Sequence, residues 1–176
     1  MSSIKKIVII GPESTGKSTL TQALAKEFDE PWVEEYARRY IENLPGKYNY
    51  KDLLKIAKSQ LALEDQKEKS AKQLLFCDTD LHVIKVWSEY KFKKTDPWIL
   101  EQIKKRTYDL YLLTDIDIPW QEDPLREHPA PAMREYFYDK YHRIVLDSQV
   151  SFARISGSPE ERLYKAMKAI KRLLVT

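Results

Sequence analysis

Gly11-Pro12-Glu13-Ser14-Thr15-Gly16-Lys17-Ser18 is the stretch that decides how this chain folds. It follows Lys6-Ile7-Val8-Ile9-Ile10, whose β-branched run reads as a strand. It opens residues 18–28, where Leu20, Leu24 and Phe28 recur every four residues as on one helix face. The pattern G-x-x-x-x-G-K-[ST] is met at every fixed position, in the strand-to-helix context it requires. Glycine lets backbone N–H groups curl around phosphate oxygens, and the helix N-terminus adds partial positive charge. The stretch therefore reads as a phosphate-binding loop in which Gly11, Glu13, Ser14, Thr15 and Gly16 form the cradle. Lys17 is expected to reach the β- and γ-phosphates, Ser18 to ligate Mg²⁺, and Thr19 to donate to the α-phosphate.

Working outward, apolar β-type runs alternate with helical patterns. Strands are expected at 6–10, 32–35, 74–78, 109–114 and 151–156, with helices at 18–28, 52–73, 80–90, 97–107 and 132–146. This order predicts a P-loop three-layer α/β/α sandwich around a five-stranded parallel sheet, its ligands beyond the C-terminal strand ends. With 176 residues and no repeat or break in composition, a single domain over 1–176 is expected. Pro119, Pro124, Pro129 and Pro131 mark a mobile loop, the core of an arginine-bearing lid over about 115–134.

Asp78 ends the 74–78 strand and emerges at the same sheet edge as the phosphate loop, the position of a carboxylate that holds Mg²⁺ through water. Asp80 either caps the next helix or faces the ligand. Thr79 stands where a hydrolytic ATPase usually has glutamate, which favours transfer to an acceptor over hydrolysis. Neither D-x-x-G nor [NT]-K-x-D occurs, which argues against a guanine-nucleotide switch.

Opposite the loop, Trp32-Val33-Glu34-Glu35-Tyr36-Ala37-Arg38 sets a carboxylate pair at the mouth of a strand. Glu35 there can accept the proton of an attacking hydroxyl, and Arg38 can steady a phosphate or that carboxylate; the other reading is a solvated helix start. In the lid, Arg126 is the first choice to stabilise the transferring phosphoryl group, with Arg134 on the following helix. The general base remains open between Glu35, Asp78 and Asp80, as does the choice between ATP and GTP.

A net charge of +3 is too small to imply a nucleic-acid partner, and no window approaches a membrane span. Cys77, the one cysteine, cannot form an internal disulfide and lies in an apolar run, which fits a reducing cytoplasm. His82, His128 and His142 lack zinc-ligand spacing. The apolar run before Gly11 is too short for a signal peptide. A small-molecule nucleoside is the expected partner; oligomeric state is not legible.

Gly-x-Glu-Ser-Thr-Gly-Lys-Ser, then Glu35-Tyr36-x-Arg38, Asp78-Thr79-Asp80 and Trp120-x-x-Asp123-x-Leu125-Arg126, in that order, resemble the ribosylnicotinamide kinase domain of NadR-type proteins, from about residue 4 to 174. The resemblance implies a nucleoside-kinase-like fold and phosphorylation of the ribose 5′-hydroxyl of nicotinamide riboside by ATP and Mg²⁺. It implies substrate contacts from Trp32, Glu34, Glu35, Tyr36, Arg38, Asp80, Trp120 and Asp123. Nucleotide contacts would extend to Arg134 and, in the adenine loop over 157–162, to Arg162. Multidomain relatives carry an adenylyltransferase domain, and some a DNA-binding one, for which 176 residues leave no room. Glu34 occupies a position where relatives may carry an aromatic residue. Another nucleoside or nucleotide kinase, or a regulatory P-loop ATPase, is the alternative.

Overall fold

The computed structural model describes residues 4–175; residues 1–3 and 176 of the expected domain lie outside the described residues. Five parallel strands, β1 (Lys5–Ile10), β2 (Trp32–Val33), β3 (Leu74–Asp78), β4 (Leu110–Thr114) and β5 (Phe152–Ile155), pair in the order β2-β3-β1-β4-β5. Among the described residues seven helices connect and cover them: α1 (Lys17–Phe28), α2 (Tyr36–Glu42), α3 (Tyr50–Glu68), α4 (Leu81–Phe92), α5 (Pro97–Lys105), α6 (Pro131–Asp147) and α7 (Pro159–Leu174). The result is the three-layer α/β/α sandwich.

Strand β1 shows why the chain layers this way. Its side chains alternate, Ile7 and Ile9 packing with α1 and α7 on one face, Val8 and Ile10 with α6 on the other, and all four are fully buried. A strand buried on both faces must be apolar throughout, which is how its sequence reads. A second tier, built on Leu53, Ile56 and Ile99, joins α3, α4 and α5.

Most expected boundaries shift by one or two residues, and three departures have a visible cause. The second strand stops at Val33 instead of 35, because Gln60 takes over the backbone: its Nε2 donates to Glu34 O at 3.0 Å and its Oε1 accepts from Tyr36 N at 2.8 Å. Helix α3 ends at Glu68, not 73, since the Glu30 carboxylate captures the N–H groups of Lys72, Gln73 and Leu74 at 2.8–3.1 Å and aims them into β3. Residues 159–162, expected in a loop, begin α7. Ser158 and Glu161 form its capping box with Pro159 in the first turn, and Ala166 and Ile170 are buried at four-residue spacing.

Candidate active site

The phosphate loop joins β1 to α1. A Cβ at Gly11 would collide with the Thr114 hydroxyl and stand 2.9 Å from that residue's carbonyl oxygen, so glycine is required by close approach to β4. Gly16 has φ 75°, the left-handed turn that starts α1. Thr15 Oγ1 donates to Pro12 O at 2.7 Å, fixing the curl internally. Two arginines brace it from behind. Buried Arg162 donates to the carbonyls of Thr15 (2.8 Å), Gly157 (2.9 Å) and Asp115 (3.1 Å) and pairs with Asp117. Arg134 donates to Ser14 O at 3.1 Å and Ile118 O at 3.0 Å. Arg162 borders the cleft and Arg134 does not; both hold the loop through its carbonyls.

Lys17 Nζ donates to Pro12 O at 2.6 Å. Desolvation lowers its pKa from the ordinary value, against the attraction of Glu35, Asp78 and Glu13. Ser18 Oγ donates to Asp78 Oδ2, while Asp78 Oδ1 is buried and has no hydrogen-bond partner among the described residues. A hydroxyl and a carboxylate with an orphaned oxygen, beside a phosphate cradle, fit a Mg²⁺ ion that takes its remaining ligands from phosphate and water.

Burial and the nearby Glu35 charge push the Asp78 carboxyl up to about 7. Because the folded pKa lies above the unfolded value, the stabilisation tied to this proton is complete below about pH 4 and is lost as pH rises through about 7. Asp78→Asn stays neutral throughout. It is therefore expected to raise the melting temperature of the ligand-free protein at pH 8 by about 4–8 °C, roughly 2 kcal/mol after the weakened Ser18 contact is allowed for, with a smaller gain at pH 5. Thermal melts across pH check this; a gap that narrows from pH 5 to pH 8 contradicts it.

Thr79 has φ 71°, a left-handed value unusual for a β-branched residue, and it turns the chain so that the two flanking carboxylates part company. Asp80 points into the core, 2% exposed, where it accepts from His82 N (2.9 Å) and Tyr111 Oη (2.9 Å) and meets His82 Nδ1 at 2.8 Å. It caps α4 and does not line the cleft.

Of the other acceptor-side residues, Trp32, Glu34, Glu35 and Arg38 line the cleft and Tyr36 does not. Glu34 is engaged by Arg39 at 2.8 Å, which leaves Glu35 as the carboxylate directed at the Lys17–Asp78 pair. Arg38 pairs with Asp123 of the lid, so both hold the cover in place, and Trp120 lies beneath the Arg126 guanidinium, 5.9 Å from its carbon to the ring centre. Arg126 reaches the cleft, donates to Gln121 O at 2.6 Å and has no carboxylate ion pair among the described residues. Glu13 and Ser14 turn to the lid: the Glu13 carboxylate accepts from Glu127 N and His128 N, and Ser14 Oγ accepts from Gln121 N at 2.9 Å.

The far wall of the cleft is aromatic and was not anticipated. Tyr48, Trp87, Tyr90, Phe137 and Tyr141 line it, tied together by a Trp87 Nε1 to Tyr48 Oη hydrogen bond of 2.9 Å. The available signal was periodic: Val83, Trp87 and Tyr90 share one face of α4, and Phe137 and Tyr141 one face of α6.

A glycine cradle at a strand–helix junction, a buried carboxylate on the adjacent strand and an arginine-bearing cover define a P-loop protein with the fold of nucleoside and nucleotide kinases. The chain belongs to the AAA domain family, whose model matches residues 6–162. It is 26% identical to the trifunctional NAD biosynthesis/regulator protein NadR of Escherichia coli strain K12 over 97% of this chain, and spans 43% of that relative's length. In fold it resembles a NadR protein crystallised in complex with NR, with a TM-score of 0.80 and 22% identity over 99% of this chain and 50% of the other. The same values hold for a NadR complex with NAD and AMP-PNP. A thymidylate kinase from Candida albicans matches at TM-score 0.69 and 13% identity, over 99% of this chain and 94% of its own. Among the described residues no helix is long and apolar enough to cross a membrane, and Cys77 is buried with its thiol pKa pushed up by desolvation.

Proposed function

We propose that this protein transfers the γ-phosphoryl group of ATP to the ribose 5′-hydroxyl of nicotinamide riboside, giving nicotinamide mononucleotide. The observation that carries the reading is a continuous cleft of about 1080 Å³ running from the phosphate loop past Glu35 to the aromatic wall. One small-molecule site typically occupies roughly 300–1000 Å³, so a cleft of this size suits a nucleotide and a nucleoside together. The NadR relative crystallised with NR supports the acceptor, and the one with AMP-PNP supports ATP.

In this scheme the loop amides and Lys17 hold the β- and γ-phosphates, while Ser18 and Asp78 would hold Mg²⁺. Bound Mg²⁺ supplies neutralisation of phosphate charge. Glu35 accepts the proton of the 5′-hydroxyl as the hydroxyl oxygen attacks the γ-phosphorus, the bond to the β–γ bridging oxygen breaks and ADP leaves; Asp80, committed to His82 and Tyr111, is not available as that base. The fixed positive charge of the pyridinium is met by Glu35 and by aromatic faces. A cation–π contact is worth about 0.5 to 2 kcal/mol, a preference of roughly two- to thirtyfold over a neutral base.

Glu35→Gln is expected to lower kcat about 100-fold with little change in the KM of either substrate, since proton acceptance contributes in the transition state. An unchanged kcat would remove Glu35 from the mechanism. The acceptor is tested by competing nicotinamide riboside against uridine, cytidine and deoxynucleosides at equal concentration with MgATP, reading products by mass. A higher kcat/KM for a neutral nucleoside would reject the riboside and leave the kinase standing.

A further inference from the structure

We propose that Glu13, at a position the general G-x-x-x-x-G-K-[ST] pattern leaves open, is the catch that seats the lid and so positions Arg126 for transfer. This rests on the kinase reading. The Glu13 carboxylate accepts the N–H of Glu127 at 3.1 and 3.4 Å and that of His128 at 3.2 Å. Arg126 is the residue just before this pair, about 3.8 Å along the chain, so fixing the pair fixes the arginine. On its other side, Gln121 N donates to Ser14 Oγ and Gln121 O receives the Arg126 guanidinium. Arg126 is thus bracketed by two contacts to the same loop that cradles phosphate.

The same catch touches the acceptor end. The His128 ring stands 5.0 Å from Tyr90 and 4.8 Å from Phe137, both on the aromatic wall, and Glu127 accepts from Tyr48 Oη at 2.9 Å and from Lys91 Nζ at 3.0 Å. One carboxylate therefore joins the donor cradle, the arginine and the acceptor wall. Burial raises the pKa of Glu13, and the two lid amides oppose that rise. A carboxylate that accepts two amide hydrogens makes charge-assisted bonds, stronger than neutral ones.

The test combines amide hydrogen exchange with a double-mutant cycle on the full chain. Glu13→Ala is expected to speed exchange at the Glu127 and His128 amides about tenfold or more. It should lower kcat about 10- to 100-fold through a displaced Arg126 while leaving ADP affinity within about twofold. Glu13→Gln, which keeps the side-chain volume and one acceptor oxygen, should recover part of both. In an Arg126→Ala background, Glu13→Ala should cost less than about threefold, because the arginine it positions is already gone.

Unchanged exchange at 127 and 128 overturns the catch. Faster exchange with wild-type kcat, or losses that multiply in the double mutant, overturns its action through Arg126. A more than tenfold loss of ADP affinity would make Glu13 a nucleotide ligand instead. If wild-type protein shows no acceptor-dependent transfer the kinase reading falls, and the exchange measurement alone decides whether Glu13 holds the lid.

Discussion

Lys17→Ala is expected to lower kcat by about 10³-fold or more while the protein stays folded. Among the described residues the Lys17 ammonium makes one hydrogen bond, to Pro12 O, and the side chain belongs to none of the three apolar clusters. Its ammonium is flanked by Glu35, Asp78 and Glu13, yet desolvation is the larger influence and lowers its pKa. On balance the ligand-free fold disfavours the charged lysine, so removing it does not forfeit net stability. Negative charge placed by a nucleotide reverses that balance, and the mutant then lacks the cation that meets phosphate charge as it develops. Rate should fall with a melting temperature close to wild type. Wild-type transfer by the mutant would reject the phosphate-loop assignment, and a collapsed melting temperature would reject the electrostatic argument.

Arg126→Ala is expected to give the second large loss, about 10³-fold in kcat. The guanidinium is held by a backbone carbonyl and an indole face, not by a carboxylate, so its charge is uncommitted beside the cradle. A cation so placed stabilises charge on the phosphoryl group in transit. ADP lacks that group, so its affinity should change by less than about twofold, and the loss should appear in kcat more than in KM. Arg126→Lys should recover only part of the rate, since an ammonium lacks the planar donor fork. A loss confined to KM would show that Arg126 binds ground-state substrate only.

What the sequence made legible was local. The loop motif, β1 and Asp78 each depend on residues within a few positions of one another, and each lies where expected. The positions whose surroundings were not legible answer to distant partners. Glu13 was expected among the nucleotide contacts, and its carboxylate meets amides 114 and 115 residues away. Glu35 was expected in a strand that Gln60, 26 residues on from Glu34, interrupts. Asp80 left two readings open, and its burial against Tyr111 selects the cap. The aromatic wall draws two residues each from α4 and α6 and one from the segment before α3, so no one stretch announces the whole of it. Helix α7 is different: Ser158, Pro159 and Glu161 carry a local start signal that the reading of 157–162 as a loop passed over.

Glu13 grips the lid by main-chain amides, not by side chains, and this shapes how the lid can diverge. At positions 127 and 128 the grip is indifferent to residue type with one exception: proline has no amide hydrogen to offer. Residue type at these two positions can therefore vary, altering what the acceptor meets while Glu13 keeps its grip, although the Arg38–Asp123 pair still ties the rest of the lid by side chains. Glutamate in the loop, aspartate at 123 and the absence of proline at 127 and 128 are the grammar a chimera of this lid has to respect.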